Sequence, residues 1–275
     1  MSFKESDYTR FTDFRITSPA HGVVHVEVNR PKKVNSFAQQ TWEQYRGIFD
    51  QLNKTDTRAV VLSGVGKHFC SGLDIKTSLK SLVSMDHQSG ELFIKEFQDC
   101  IASPLKSHIP VISVSHGVSY GLALDIVSAT TIRLCTADVK FSIKEIDIGI
   151  MADIGSLQRL GYLVNNQSKL NELALTARDF GSEAAFDLGL VSNVFEDKKS
   201  AIDSAISLAI EISKKYAPAV VGTKKHLEMM TTNSDWCHHG LDSVAKDNAK
   251  LMSEDAYRDF ITTFMKQMMS RKSKL

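Results

Sequence analysis

Over residues 14–28 apolar and polar positions alternate and strand-favouring side chains dominate. Pro19 and Gly22 interrupt the run, which predicts a hairpin ahead of Asn29, Arg30 and Pro31. The period then changes. Between residues 36 and 52, Phe37, Trp42, Tyr45, Ile48, Phe49 and Leu52 recur near helical spacing, with Ser36 available as the N-cap of an amphipathic helix. Residues 59–62 read as a buried strand, and the alternation continues with strands at 111–115, 132–135 and 140–143. Helices are expected after Gly121 and from Gly155 onward. Strands alternating with helices argue for an α/β core. From residue 182 the pattern is mostly helical, with long amphipathic stretches at 200–216 and 242–266. The segment 77–92 has little periodicity and reads as a surface connection.

Composition narrows the class of protein. A chain of 275 residues, 43% hydrophobic and 24% charged, can bury one large core with or without a helical annex. A formal net charge of +1, with basic and acidic residues interspersed, offers no strong field to nucleic acid or an anionic membrane. Cys70, Cys100, Cys135 and Cys237 are widely separated and read as free thiols rather than zinc or redox pairs. No apolar run approaches the roughly eighteen residues of a membrane span, and the first residues lack the apolar stretch of an export signal. Ser273, Lys274 and Leu275 form the tripeptide read by peroxisomal import receptors, so the peroxisomal matrix is the expected location.

Three segments carry candidate chemistry. Residues 64–74 form a polar, glycine-rich turn after a buried strand, without the spacing of a phosphate or dinucleotide loop. Residues 116–125 place a flexible turn before an apolar helix, whose unpaired amides and dipole face whatever precedes it. Two amides from these turns would make an oxyanion hole if they converged. Residues 141–155 set acids in an apolar stretch, and period-two alternation from Phe141 and Ile143 carries Glu145 to the core side. Each acid also has a plain explanation: Asp125 complements a helix dipole, Glu145 ends a solvated strand, Asp153 caps the next helix. Together, three carboxyls beside two glycine turns suggest acid/base chemistry.

The runs NRP, SGLD, HGVSYGLALD and KEIDIGIMADIGSLQRL resemble the crotonase superfamily over most of the chain, and within it the dienoyl-CoA isomerases. The resemblance implies a spiral of repeated ββα units over 1–195 and a C-terminal helical trimerisation region over 196–275. It implies a homotrimer or homohexamer. The substrate would be an acyl-CoA thioester, with coenzyme A as part of the substrate and no metal, flavin or nicotinamide cofactor. Backbone amides of Ser71 and Leu122 would hold the thioester oxygen, and Gly72, Leu73, Asp74 and Ile75 would complete the substrate-binding turn. Glu145 would take a proton from C2, Asp153 would deliver one to C6, and Asp125 would orient or tune Glu145, turning a 3,5-diene into a 2,4-diene. At Leu122 and Ala123 many relatives carry glycines, but the change keeps the backbone donor.

Several other features carry less. Cys237, His238 and His239 are adjacent on an expected helix and read as structural rather than as a metal set. Lys76, Lys32 and Lys33 would be exposed lysines or approach the CoA phosphates. Competing readings are a 3-enoyl-CoA isomerase relying on a carboxylate near Asp153, an enoyl-CoA hydratase with acids at 125 and 145, and a noncatalytic or RNA-binding scaffold.

Overall fold

The computed structural model describes residues 1–75, 77, 87–229, 255, 256, 259 and 263. Strand β1 (Phe14–Ala20) folds back on β2 (Val23–Val28) as the expected antiparallel hairpin. Strands β3 (Ala59–Gly64), β4 (Val111–Ser115), β6 (Ile132–Thr136) and β8 (Asn193–Phe195) extend it in parallel, in the order β1-β2-β3-β4-β6-β8. All residues of β2, β3 and β4 are buried, as parallel strands require when both faces are covered.

Alternation along these strands divides two cores. Val24, Val26, Val28, Val60 and Leu62 face the larger one, which includes Trp42, Tyr45, Ile48, Phe49 and Leu52 of helix α1 (Gln39–Leu52). It also takes Phe97, Cys100 and Ile101 from α2 (His87–Ile101), which is followed by the short helix α3 (Ser103–Lys106). Val23, Val61, Ile112, Val114 and Leu134 face the opposite way. A second, parallel pair, β5 (Val118–Tyr120) with β7 (Lys140–Ser142), flanks α4 (Leu122–Ser128), whose residues are all buried. Helices α5 (Ser156–Leu163), α6 (Gln167–Thr176) and α7 (Ser182–Asp187) follow. The α/β core expected from the alternation is present.

Local differences from expectation have physical causes. Helix α1 starts at Gln39 and Ser36 does not cap it. Phe37 is instead drawn into a bridge with Leu73, its N–H donating to Gly72 O at 2.9 Å while its carbonyl accepts from Asp74 N–H at 2.8 Å. Thr41 Oγ1 accepts the Ala38 N–H at 3.3 Å and donates to Asp13 Oδ2 at 2.6 Å, taking over the capping role. The short β8 lies inside a region that read as helical.

A compact unit runs from Met1 to Ser213, beyond the expected division at 195/196. The reason is α8 (Lys198–Ser213): Ala201, Ala205 and Ala209, spaced by four, lay a small-residue stripe on the second face of the sheet. The second unit, Lys214–Leu275, contains helix α9 (Ala217–Met229), where Lys224 pairs with Glu228 at 2.5 Å. Lys76, Cys237, His238, His239, Ser273, Lys274, Leu275 and most of 242–266 lie outside the described residues. Among the described residues no helix is long and apolar enough to cross a membrane.

Candidate active site

The glycine-rich turn after β3 is held by side chains that reach its carbonyls. Asn35 Nδ2 donates to Val65 O at 3.0 Å and His68 O at 2.7 Å. Lys198 Nζ donates to Gly64 O at 2.5 Å and Gly66 O at 3.1 Å. The His116 ring nitrogens face Gly64 O at 3.1 Å and Lys67 O at 3.3 Å. Every carbonyl from Gly64 to His68 thus meets a side-chain nitrogen, which satisfies backbone groups that have no ladder partner.

The turn then joins β5 through a Cys70–Ser119 bridge, with Tyr120 N–H donating to Cys70 O at 3.0 Å. Asp74, expected in the substrate-binding turn, is not part of the cavity wall described below. It is buried and ion-paired with Arg30 at 3.3 Å and Lys33 at 3.8 Å, so it anchors the turn.

The two candidate donors differ. Leu122 opens α4, so its N–H belongs to the first turn, where a helix supplies no acceptor. Ser71 N–H donates to Val34 O at 3.0 Å, a bond the sequence did not suggest. Val34 and its neighbour Asn35 have positive φ of 51° and 54°, and this left-handed pair turns the Val34 carbonyl towards Ser71. The turns do meet: a Cβ built on Gly72 would lie 3.1 Å from Tyr120 O and 3.8 Å from Leu122 N.

Against these turns lies a cavity of about 110 Å³ whose wall includes Ser71, Gly72, Leu73, Ile75 and Leu122. Asp125, Glu145 and Asp153 line the same cavity, so the three acids named from the sequence share one site. Phe97, Ile148, Ile150 and Ile154 make much of the remaining wall apolar. Stacking behind Phe97, Trp42 places its ring 3.9 Å away, giving that part of the wall a rigid backing.

The acids arrive by different routes. Asp125, in the first turn of α4, is 1% exposed, and its Oδ1 accepts the Ser156 N–H that opens α5 at 2.6 Å. It therefore complements two helix starts, so the plain dipole role and the site position coexist. Glu145 is not on a strand, because β7 ends at Ser142 and a 3-10 turn begins at Glu145. Its Oε1 reaches within 3.0 Å of where a Cβ on Gly121 would stand, which glycine leaves open. The other oxygen, Oε2, is buried with no hydrogen-bond partner. Asp153 does not cap α5, whose N-cap position is Gly155. Its carbonyl is held by Gln98 Nε2 at 2.6 Å.

Burial raises all three acid pKa values. Asp125 is pushed up to about 7, first by burial and then by the Glu145 charge, with Arg159 and the Ser156 amide opposing. Glu145 is raised by burial and further by Asp153, and Asp153 is raised by burial. Three carboxyls that bind protons more tightly than usual, in one apolar cavity, are suited to proton transfer. Among the described residues no group of three or more His, Cys, Asp or Glu side chains is arranged to hold a metal.

Sequence reasoning passed over Phe97, Gly121, Lys144, Ile148, Ile150 and Ile154 as wall residues. For Lys144 the available signal was its place beside Glu145. Its Nζ reaches Ala177 O at 2.7 Å and Asp179 at 3.1 Å, and Asp179 accepts the Tyr120 hydroxyl at 2.5 Å. That link ties the Glu145 turn to the strand entering the Leu122 turn.

Comparison with known proteins identifies the family. The enoyl-CoA hydratase/isomerase family profile matches residues 19–268. The chain is 36% identical over 272 residues to a mouse protein named mitochondrial Delta(3,5)-Delta(2,4)-dienoyl-CoA isomerase, covering 96% of this chain and 82% of that one. It is 36% identical over 259 residues to the Arabidopsis thaliana peroxisomal protein of that name, covering 91% of each. A crystal structure titled as an enoyl-CoA hydratase from Shewanella pealeana superposes with a TM-score of 0.86 over 97% of this chain and 98% of that one; at 15% identity the likeness speaks for the fold. On the family match and the length of these alignments, the chain belongs to the enoyl-CoA hydratase/isomerase family.

Proposed function

We propose that the protein isomerises 3,5-dienoyl-CoA thioesters to 2,4-dienoyl-CoA thioesters. The observation that carries this reading is the single cavity in which Glu145 and Asp153, both raised in pKa, stand with the Leu122 helix start. The Glu145 carboxylate takes the C2 proton. The electron pair left behind spreads as a dienolate over the thioester oxygen and the carbons out to C6. Protonated Asp153 supplies the proton at C6, leaving its own carboxylate ionised and Glu145 protonated; exchange with solvent resets both.

A raised pKa makes the Glu145 carboxylate a stronger base and favours the protonated form of Asp153 that has to donate. The Leu122 amide holds the developing oxyanion. The Ser71 amide joins it by sharing or giving up its bond to Val34 O, so this second donor contributes less than a free amide would. Coenzyme A enters as part of the substrate, and proton transfer between these positions uses no cofactor.

The names of the mouse and Arabidopsis relatives support the substrate class. Peroxisomal import belongs to the same proposal, supported by Ser273, Lys274 and Leu275 and by the peroxisomal Arabidopsis relative, although the mouse relative is mitochondrial by name. A fluorescent fusion lacking Leu275 should then remain in the cytosol; unchanged import would argue against that address. A homotrimer or homohexamer is the assembly proposed, to be read by light scattering.

The deciding experiment is ultraviolet absorbance with a panel of CoA esters. Conversion of 3,5-dienoyl-CoA to the conjugated 2,4-product should exceed both isomerisation of 3-enoyl-CoA and hydration of 2-enoyl-CoA. A preference for either of the latter two, or salt-sensitive RNA binding without turnover, would overturn the reading.

A further inference from the structure

Arg159, within α5, is a largely enclosed cation that the mechanism above does not use. Its side chain is 12% exposed and has several fixed partners. Nη2 donates to Asp125 O at 3.0 Å and to Ile154 O at 2.9 Å, and Nε donates to Ser128 Oγ at 3.0 Å. The same Nη2 stands 3.9 Å from Asp125 Oδ1. Gly155 makes room for it, because a Cβ there would collide with Nη1.

These partners come from two separate segments. Asp125 and Ser128 belong to α4, whereas Ile154 directly follows Asp153. We propose that Arg159 is a positioning residue that locks the Asp125 helix and the Asp153 segment into one geometry and supplies the buried counter-charge of the acid cluster. The kinetic part of this proposal rests on the isomerase reading; the electrostatic part does not.

The surroundings leave the charge role to Arg159. Asp125 is faced by Glu145 from the 3-10 turn, by Arg159 from α5 and by the Cys70 thiol of the glycine-rich turn. The Tyr45 phenol of α1 faces Arg159, Asp153 faces Glu145, and Tyr162 on α5 is exposed. Lys144 also lines the cavity, but its ammonium is engaged with Asp179 at 3.1 Å and Asp147 at 3.5 Å. The charge of Arg159 holds the Asp125 pKa below the value that burial and Glu145 alone would give. A lysine in its place would keep that charge but not the planar fork that reaches two carbonyls and a hydroxyl at once.

Geometry and charge therefore separate by substitution in the full-length protein. The variants are Arg159→Met, Arg159→Lys and Ser128→Ala, each checked for folding by thermal melting. The first readout is the titration of ¹³C-labelled Asp125 carboxyl by NMR, which needs no substrate. Arg159→Met should move its midpoint upward from about 7, while Arg159→Lys should leave it nearly in place.

The second readout is the ratio of diene isomerisation to exchange of the C2 proton with deuterated solvent. Arg159→Met and Arg159→Lys should both lower that ratio by about tenfold or more, because a loosened Ile154 misplaces the C6 donor more than the C2 base. Ser128→Ala should lower it less, in the same direction. A folded Arg159→Met with unchanged midpoint and ratio overturns the proposal. Should that variant not fold, unchanged ratios in both Arg159→Lys and Ser128→Ala overturn it instead. If the parent protein turns over no 3,5-diene, the isomerase reading fails, and the titration still decides whether Arg159 supplies the counter-charge.

Discussion

The glycine-rich turn at 64–74 and the acid segment at 145–155 face the same cavity but are built in opposite ways. In the turn, Asn35, His116 and Lys198 bind each carbonyl from Gly64 to His68, and Asp74 is buried against Arg30. The acid segment exposes Ile146, Ile148, Ile150 and Met151, the last to 80%, and leaves Glu145 Oε2 without a partner. The turn's carbonyls are thus fixed by side chains, the rigidity that the proposed mechanism asks of a turn presenting a backbone donor. In the acid segment, where the proposed mechanism moves protons, a carboxyl is left incompletely satisfied in an apolar setting, which costs stability and raises its pKa. A loosely satisfied segment still needs a few strong anchors, and Lys144, Gln98 and Arg159 supply them.

The sharpest way to break this contrast is to neutralise the acids. Glu145→Gln and Asp153→Asn should each lower isomerisation by about 10²- to 10⁴-fold while acyl-CoA binding, read by calorimetry, persists. Loss of binding in step with turnover would show that the acids hold the ligand rather than move protons.

The turn should break through stability instead. Asn35→Gly keeps the positive φ of 54° without strain but removes both donors to Val65 O and His68 O, and the acceptor for Arg30 N–H. Urea unfolding should show a loss of about 3–5 kcal/mol. Ile146→Ser, in the exposed part of the acid segment, should change stability by no more than about 0.5 kcal/mol. Equal losses at the two positions would erase the distinction.

A third effect depends on pH. The folded pKa of Asp125, about 7, exceeds its ordinary value of 3.8, so the folded state holds this proton more tightly. The stabilisation is fully present below about pH 4 and is lost as pH rises through about 7. Relative to Asp125→Asn, the parent should therefore lose stability between these limits, by about 4 kcal/mol as a ceiling. A stability difference that stays flat with pH would contradict the assigned environment.

Of the effects on activity, the smallest is expected at Leu122. Leu122→Gly retains the amide, so activity should fall by no more than about tenfold, through backbone freedom and lost packing. Abolished turnover in a folded variant would reveal an essential role for the side chain.

Much of the fold was legible because burial repeats along the chain. The hairpin and α1 follow directly from period two and period 3.6, and α8 shows its contact face as Ala201, Ala205 and Ala209. The three acids were legible through family resemblance and their grouping beside glycine turns. Their geometry was not. Glu145 reaches the cavity from a 3-10 turn, so strand alternation led to the right side for the wrong reason. Ser36 looked like a cap, but long-range pairing of Phe37 with the glycine-rich turn displaced the helix start. The bond from Ser71 N–H to Val34 O and the Arg159 fork depend on contacts between segments far apart in sequence, which local periodicity does not encode.

The most direct test of the account follows the proton at C2. Each folded variant, Glu145→Gln and Asp153→Asn, is incubated with 3,5-dienoyl-CoA in deuterated water, and deuterium in the recovered thioester is located by mass spectrometry and NMR. The account predicts that Asp153→Asn still incorporates deuterium at C2 while forming little 2,4-diene, and that Glu145→Gln incorporates none. Full turnover by Glu145→Gln, with loss confined to Asp153→Asn, would contradict the two-acid assignment and favour a single-carboxylate isomerase.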